Sequence, residues 1–358
     1  MGRRSRTAAL TGAVLGSVAA GIAAGAVVER LAVGRQRLRP DPEAREPFGR
    51  LPGRERTVVA DDGVRLHVEE VGAGDVTVIF CHGFALSLAS WHYQRRDLVD
   101  VGRLVFYDHR SHGRSQRGGH GTETLDQLGR DLATILDAVA PSGPVVLVGH
   151  SMGGMTIMSL AHQRPELFGT RIVGAVLVAT EAGNVTQAFL PLPVRASGLL
   201  TGRLLPHADR FVRRRATVVE RARRVGSDFA FLVTRLGGFG PDASPAQIEF
   251  TERMIAATPL EVITAFVPTF VEHDKFEALG VVGRVPTLVI GGERDRITPV
   301  HQSRAIAAHA PGAELVLLDG AGHMVMLERA PLVNLHLRAF IRRVSRGARG
   351  GRRASRGA

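Results

Sequence analysis

The stretch that most constrains this chain is Val145-Val146-Leu147-Val148, which runs without a break into Gly149-His150-Ser151-Met152-Gly153-Gly154. A short apolar run bounded by glycine reads as a buried strand, and a helix-like pattern follows it. Apolar runs of this kind alternate with helical patterns from residue 57 onward, and that alternation argues for a mainly parallel sheet wrapped by helices. The turn also has a chemical meaning. A serine on a sharp strand-to-helix turn is lifted clear of the backbone, and glycines two before and two after let neighbouring chain pass without a Cβ clash. Ser151 is therefore the candidate nucleophile.

A serine hydroxyl is a weak nucleophile that needs a base, and the base needs an orienting carboxylate. Both follow downstream. The apolar run Thr287-Leu288-Val289-Ile290 leads into Gly291-Gly292-Glu293-Arg294-Asp295, which puts Asp295 in a loop after a strand. The next run, Leu315-Val316-Leu317-Leu318, leads into Asp319-Gly320-Ala321-Gly322-His323. Of 14 histidines only His323 lies in a Gly-flanked loop after the last strand, whereas His82 and His150 read as turn-shaping residues. Glu293, Asp319 and Glu181, the last at the end of the run from Ile172 to Ala179, are rival carboxylates for the acid role. Cys81 is the only cysteine, so an intrachain disulfide is impossible, and at a strand end it reads as a small buried apolar residue.

The order Ser, Asp, His is the one used by the α/β-hydrolase superfamily, and the chain resembles that superfamily from about residue 57 to 343. The elbow, the acid loop and the Gly-His loop carry the resemblance. So do Phe80-Cys81-His82-Gly83-Phe84, similar to the family's oxyanion segment, and the loop Asp108-His109-Arg110-Ser111-His112-Gly113-Arg114-Ser115, where Asp108 and Arg110 read as braces. The resemblance implies that the backbone N–H groups of Phe84 and Met152 hold the developing oxyanion. It also implies an α/β-hydrolase fold: a mostly parallel eight-stranded sheet flanked by helices, opened by an antiparallel hairpin around Asp61-Asp62-Gly63, with residues 57–182 and 271–343 as core and 183–270 as a helical cap. Serine at the elbow departs from epoxide hydrolases and haloalkane dehalogenases, whose elbow carries aspartate. Eight of the 15 phenylalanines (Phe189, Phe211, Phe229, Phe231, Phe239, Phe250, Phe266 and Phe270) fall in the cap, where they either wall an apolar pocket or pack the cap onto the core.

The net charge of +12 sits at the ends. Residues 1–39 hold seven arginines and one glutamate, and residues 342–358 hold seven arginines and no acid, so the body is close to neutral. That is not the footprint of a nucleic-acid groove, and no nucleic-acid partner is expected. Ala8 to Val28 is uncharged, and as a helix it would span about 31 Å, enough for a bilayer core. Residues 1–39 thus read as a basic and hydrophobic anchor, or as a signal peptide cleaved near Ala23 to Ala26. Residues 40–56, with Pro40, Pro42 and Pro47, read as a linker. The Arg/Gly-rich residues 344–358 have no apolar face and are expected to be disordered, with lipid headgroups as their natural partner.

The expectation is a membrane-anchored serine hydrolase that cleaves an ester of a small to medium apolar acid through an acyl-enzyme. Secretion after signal cleavage is the alternative location. The same residues also serve cofactor-free perhydrolases (haloperoxidase-like enzymes), C–C hydrolases, amidases and acyltransferases, and a non-catalytic membrane scaffold is a further alternative. No metal or organic cofactor is expected, since HExxH, P-loop and strand-linked GxGxxG patterns are all missing from the sequence.

Overall fold

In the computed structural model, which describes residues 40–183 and 234–356, the apolar runs join one eight-stranded sheet. Its strands are β1 (Arg54–Val59), β2 (Arg65–Val71), β3 (Thr77–Cys81), β4 (Arg103–Tyr107), β5 (Val145–His150), β6 (Ile172–Val178), β7 (Thr287–Gly292) and β8 (Glu314–Leu318). The spatial order is β1-β2-β4-β3-β5-β6-β7-β8. β1 and β2 form the expected antiparallel hairpin, β2 runs antiparallel to β4, and every pairing from β4 to β8 is parallel.

Successive strand residues point to opposite faces, and both faces of this sheet are covered. Ile79, Cys81, Leu147, Ala175 and Leu177 enter one apolar core. Val78, Phe80, Val146, Val148, Val176 and Val178 enter the other. This is why the central strands read as unbroken apolar runs rather than as an alternation with polar residues.

Helices α1 (His92–Asp97), α2 (Leu125–Val139) and α3 (Met152–Gln163) fall in the first half of the chain. Helix α2 shows how they start and dock. The Thr124 hydroxyl accepts from the Gln127 N–H at 3.1 Å, a cap of about 1 kcal/mol, and Leu125, Leu128, Leu132, Leu136 and Val139 form its buried stripe. After helical residues 234–238, the region expected as a cap contributes α4 (Pro245–Ala257) and α5 (Leu260–Val271), meeting at 93° across Thr258-Pro259. The rest of it, residues 184–233, lies outside the described residues. Helices α6 (Ala278–Val282), α7 (Val300–His309), α8 (Val325–Glu328) and α9 (Ala330–Arg356) complete the fold.

Two expectations need correction. Residues 40–56 are not a free linker, because Phe48 is buried against Phe250 of α4 with ring centroids 4.8 Å apart, and β1 already begins at Arg54. A lone aromatic among polar neighbours found an apolar partner more than 200 residues away. Nor is the stretch 344–358 an irregular tail, since α9 continues to Arg356. Val333, Leu337, Phe340, Ile341 and Val344 are packed and supply the costly helix nucleus, from which the helix continues through Arg and Ala in spite of Gly347, Gly350 and Gly351. The expected hydrophobic helix of residues 8–28 lies outside the described residues, among which no single helix is long and apolar enough to cross a membrane.

Candidate active site

The carboxyl ends of parallel strands are where open α/β sheets place their ligands, and the three side chains singled out by sequence lie there. Ser151 stands between β5 and α3 at φ 50°, ψ −117°. A non-glycine residue in such a region stores on the order of 1–3 kcal/mol and persists only where its surroundings over-determine it. Here the Ser151 N–H donates to the Val178 carbonyl at 3.0 Å and the Thr180 hydroxyl donates to the Ser151 carbonyl at 2.7 Å. The flanking glycines are required by space. A Cβ on Gly149 would lie 2.4 Å from the Gly153 carbonyl oxygen, and one on Gly153 would lie 2.1 Å from that of Cys81.

Asp295 and His323 follow β7 and β8, and the structure brings them together: His323 Nδ1 donates to Asp295 Oδ2 at 2.9 Å. A neutral ring with its proton on Nδ1 leaves Nε2 as a bare acceptor. Asp295 is almost fully buried and well satisfied. Its Oδ1 accepts from the Ile297 and Thr298 N–H groups at 2.8 and 2.9 Å, and its Oδ2 also accepts from the Thr298 hydroxyl at 2.7 Å. Burial opposes ionisation, but the His323 ring and these bonds outweigh it and hold the carboxyl below its ordinary range. Thr298 is not among the residues that the motifs mark. A Thr three residues after an Asp in a turn is the local signal that could have found it.

The rival carboxylates separate by position. Glu293 and Asp319 are exposed, and neither is paired with His323. Glu181 is buried beside the pair without bonding to the ring; its Oε1 has no hydrogen-bond partner, and burial, with the Asp295 charge, pushes its pKa up to about 8.

His150 links the His323 loop to the elbow. Its Nε2 lies 3.0 Å from the His323 carbonyl oxygen, which can only accept, so Nε2 carries the proton and Nδ1 is bare. The two rings are 4.8 Å apart, and burial beside His323 lowers the His150 pKa to about 3. The bare Nδ1 faces Gly83, where a Cβ would sit 2.6 Å away. The segment carrying Phe84 thus abuts the residue before Ser151, and the Phe84 and Met152 N–H groups have no hydrogen-bond partner among the described residues.

His82 within that segment and His112 against it are neutral scaffolding. His82 Nε2 accepts from the His109 N–H at 3.0 Å, and His112 Nε2 accepts from the Ala85 N–H at 3.2 Å. Burial drives the His82 pKa well below its ordinary value and that of His112 to about 4. Asp108 braces the same region by accepting from the Leu88 and Arg114 N–H groups, both at 2.8 Å. Arg110, fully buried, bridges Asp131 and Asp62. Cys81 is buried and free, and burial pushes its thiol up to about 12.

Of the eight cap phenylalanines, Phe266 and Phe270 of α5 face Phe84, with ring centroids 5.8 and 5.0 Å away, and give the oxyanion segment an apolar neighbour. Phe250 packs the cap region onto Phe48, and Phe239 is buried in the same core. Phe189, Phe211, Phe229 and Phe231 lie outside the described residues. Among the described residues, one His/carboxylate group has donors close enough for a metal: Glu55, His67 and Glu69 on the β1–β2 hairpin. Its carboxylates are already engaged, Glu55 by both Arg114 nitrogens at 2.6 and 2.8 Å and Glu69 by His67 and Arg95 at 2.9 and 2.5 Å. That is the chemistry of an ion-pair network.

Comparison with known proteins adds to this geometry. A family model described as alpha/beta hydrolase fold matches residues 76–330. A non-heme haloperoxidase of Rhodococcus erythropolis is 30% identical over 294 residues, 79% of this chain and 98% of that protein. A 2-hydroxy-6-oxononadienedioate/2-hydroxy-6-oxononatrienedioate hydrolase of Cupriavidus pinatubonensis is 27% identical, covering 79% of this chain and 93% of that one. Among solved structures, a thermophilic esterase from Thermogutta terrifontis superposes with a TM-score of 0.64 at 27% identity, over 82% of this chain and 100% of its own.

Proposed function

The chain belongs to the alpha/beta hydrolase fold family, and from that premise we propose that it is a serine hydrolase cleaving a carboxylic ester through an acyl-enzyme. The observation that carries the reading is the His323–Asp295 pair at 2.9 Å, held against the strained Ser151 turn by His150. Ser151 Oγ attacks the ester carbonyl while His323 Nε2 takes its proton. Asp295 keeps the ring in the tautomer with Nε2 bare and supports the imidazolium that forms. The Phe84 and Met152 N–H groups hold the oxyanion, each contributing about 3 kcal/mol to the barrier reduction. The imidazolium returns its proton to the leaving alkoxide, and water, activated by the same ring, then releases the acid. Phe84, Phe266 and Phe270 suit an apolar acyl group of small to medium size. No cofactor enters these steps.

The names of the relatives motivate a second reading, a perhydrolase (haloperoxidase-like) or C–C bond hydrolase using the same residues. The full-length protein and its Ser151→Ala variant, assayed on p-nitrophenyl esters from acetate to palmitate and, beside them, on an anilide, a 2-hydroxy-6-oxo dienoate and a carboxylic acid with peroxide and halide, separate the possibilities. Ester turnover lost in the variant supports the proposal, and the chain-length optimum sizes the pocket. Turnover confined to peroxide-dependent oxidation, amides or C–C bonds replaces it, and no turnover at all leaves a scaffold. We also propose that residues 8–28 anchor the enzyme, with the basic ends on anionic lipid; recovery of the full-length protein in the soluble fraction after cell lysis would refute this.

A further inference from the structure

The backbone on both sides of His323 is tied to one short segment, residues 238–240, that leads into α4. The Met324 N–H donates to the Gly238 carbonyl at 2.9 Å. On the other side the tie goes through Glu328, the last residue of α8. Its Oε1 accepts from the Gly322 N–H at 2.9 Å and its Oε2 accepts from the Gly240 N–H at 2.6 Å. Glycine is needed at both ends. A Cβ on Gly240 would lie 1.9 Å from the Gly320 carbonyl oxygen, and one on Gly322 would lie 2.6 Å from the Gly240 nitrogen.

Here the two N–H donors are taken by the two separate oxygens of one side chain, and only a carboxylate offers two acceptor oxygens with no competing donor. Burial pushes the Glu328 pKa up to about 7 in spite of those bonds and of the nearby Arg329 and Arg235, so the carboxylate is held at a desolvation cost. None of the steps proposed for the reaction uses Glu328, which makes its placement beside the Gly-His loop informative.

We propose that Glu328 is a positioning residue for His323: by bridging Gly322 and Gly240 it fixes the backbone that aims the imidazole and couples that aim to the segment leading into α4. The proposal rests on the serine-hydrolase reading, in which His323 is the base. A base held loosely loses turnover while leaving the acyl pocket intact, because sub-ångström placement governs the chemical step more than binding.

The test uses the full-length protein, with Ser151→Ala, Glu328→Gln and Glu328→Asp. Turnover of p-nitrophenyl butyrate is divided by the number of sites that a fluorophosphonate labels at its end point. Glu328→Gln keeps the shape but sets an NH2 group against one of the two backbone donors, and Glu328→Asp keeps the charge but shortens the reach. The expected result is a kcat per labelled site lower by about tenfold in both, with KM within twofold of wild type. Wild-type kcat in both variants, or a raised KM at unchanged kcat, overturns the positioning role. If Glu328→Gln loses its melting transition, the kcat of Glu328→Asp decides. A wild-type protein that neither labels at Ser151 nor outperforms Ser151→Ala defeats the underlying serine-hydrolase reading, an outcome distinct from any result with the Glu328 variants.

Discussion

Replacing Glu181 by Gln should make the protein more stable, and increasingly so as the pH rises. Glu181 follows β6, between the strand that carries Ser151 and the strand that leads to Asp295, and it is 1% exposed. Burial first, and the Asp295 charge second, raise its pKa from 4.5 to about 8. The folded state therefore keeps a proton that the unfolded chain releases above its ordinary value. The stabilising contribution of the neutral form is complete below about pH 4.5 and is lost as the pH climbs to about 8, at about 1.4 kcal/mol per unit. Between about pH 5.5 and 8 the loss integrates to about 3 kcal/mol, a large share of the 5–15 kcal/mol typical of a folded domain. Gln is nearly isosteric with the neutral acid and does not titrate. Trp91, the only tryptophan and fully buried, reports unfolding by its fluorescence in urea. The stability of Glu181→Gln relative to wild type should rise by about 3 kcal/mol across that range. Glu328 and Asp108, also raised by burial, are common to both proteins and cancel in the difference. Parallel stability curves for the two proteins would show that Glu181 is ionised in the folded state and would refute the argument.

Asp295→Asn should leave the melting temperature nearly unchanged and reduce kcat on a p-nitrophenyl ester by about 10⁴-fold, because the amide no longer enforces the tautomer with Nε2 bare; activity near wild type would move the acid role to Glu181. Ser151→Gly should abolish turnover yet raise the melting temperature by about 2 °C in calorimetry, since glycine accepts φ 50° without strain. Gly153→Ala should lower stability by about 3 kcal/mol or more in urea titration, as its Cβ would meet the Cys81 carbonyl oxygen at 2.1 Å and backbone cannot give way as a side chain does. Arg110→Leu should cost about 3–5 kcal/mol by leaving Asp131 charged and buried without its partner, and Asp131→Leu added to it should recover much of that loss.

Much of this protein is legible from local pattern. The apolar runs at residues 145–148 and 287–290 became β5 and β7, buried throughout because a strand covered on both faces has apolar residues at nearly every position, and the run at 315–318 became the half-buried edge strand β8. Ser151, Asp295 and His323 could each be placed in a loop after a strand, since glycine-rich turns are encoded by residues adjacent in the chain. What the chain order left open was which carboxylate meets His323. Asp295, Glu181, Glu293 and Asp319 differ little as letters, and only folding across 28 residues of separation set Asp295 at 2.9 Å, buried Glu181 without a partner and left the other two in water. The parts played by Thr298, His150 and Glu328, the docking of Phe48 and the length of α9 were settled in the same way. Periodicity and turn chemistry act between near neighbours, whereas desolvation, charge pairing and helix nucleation depend on what the finished fold brings within a few ångströms.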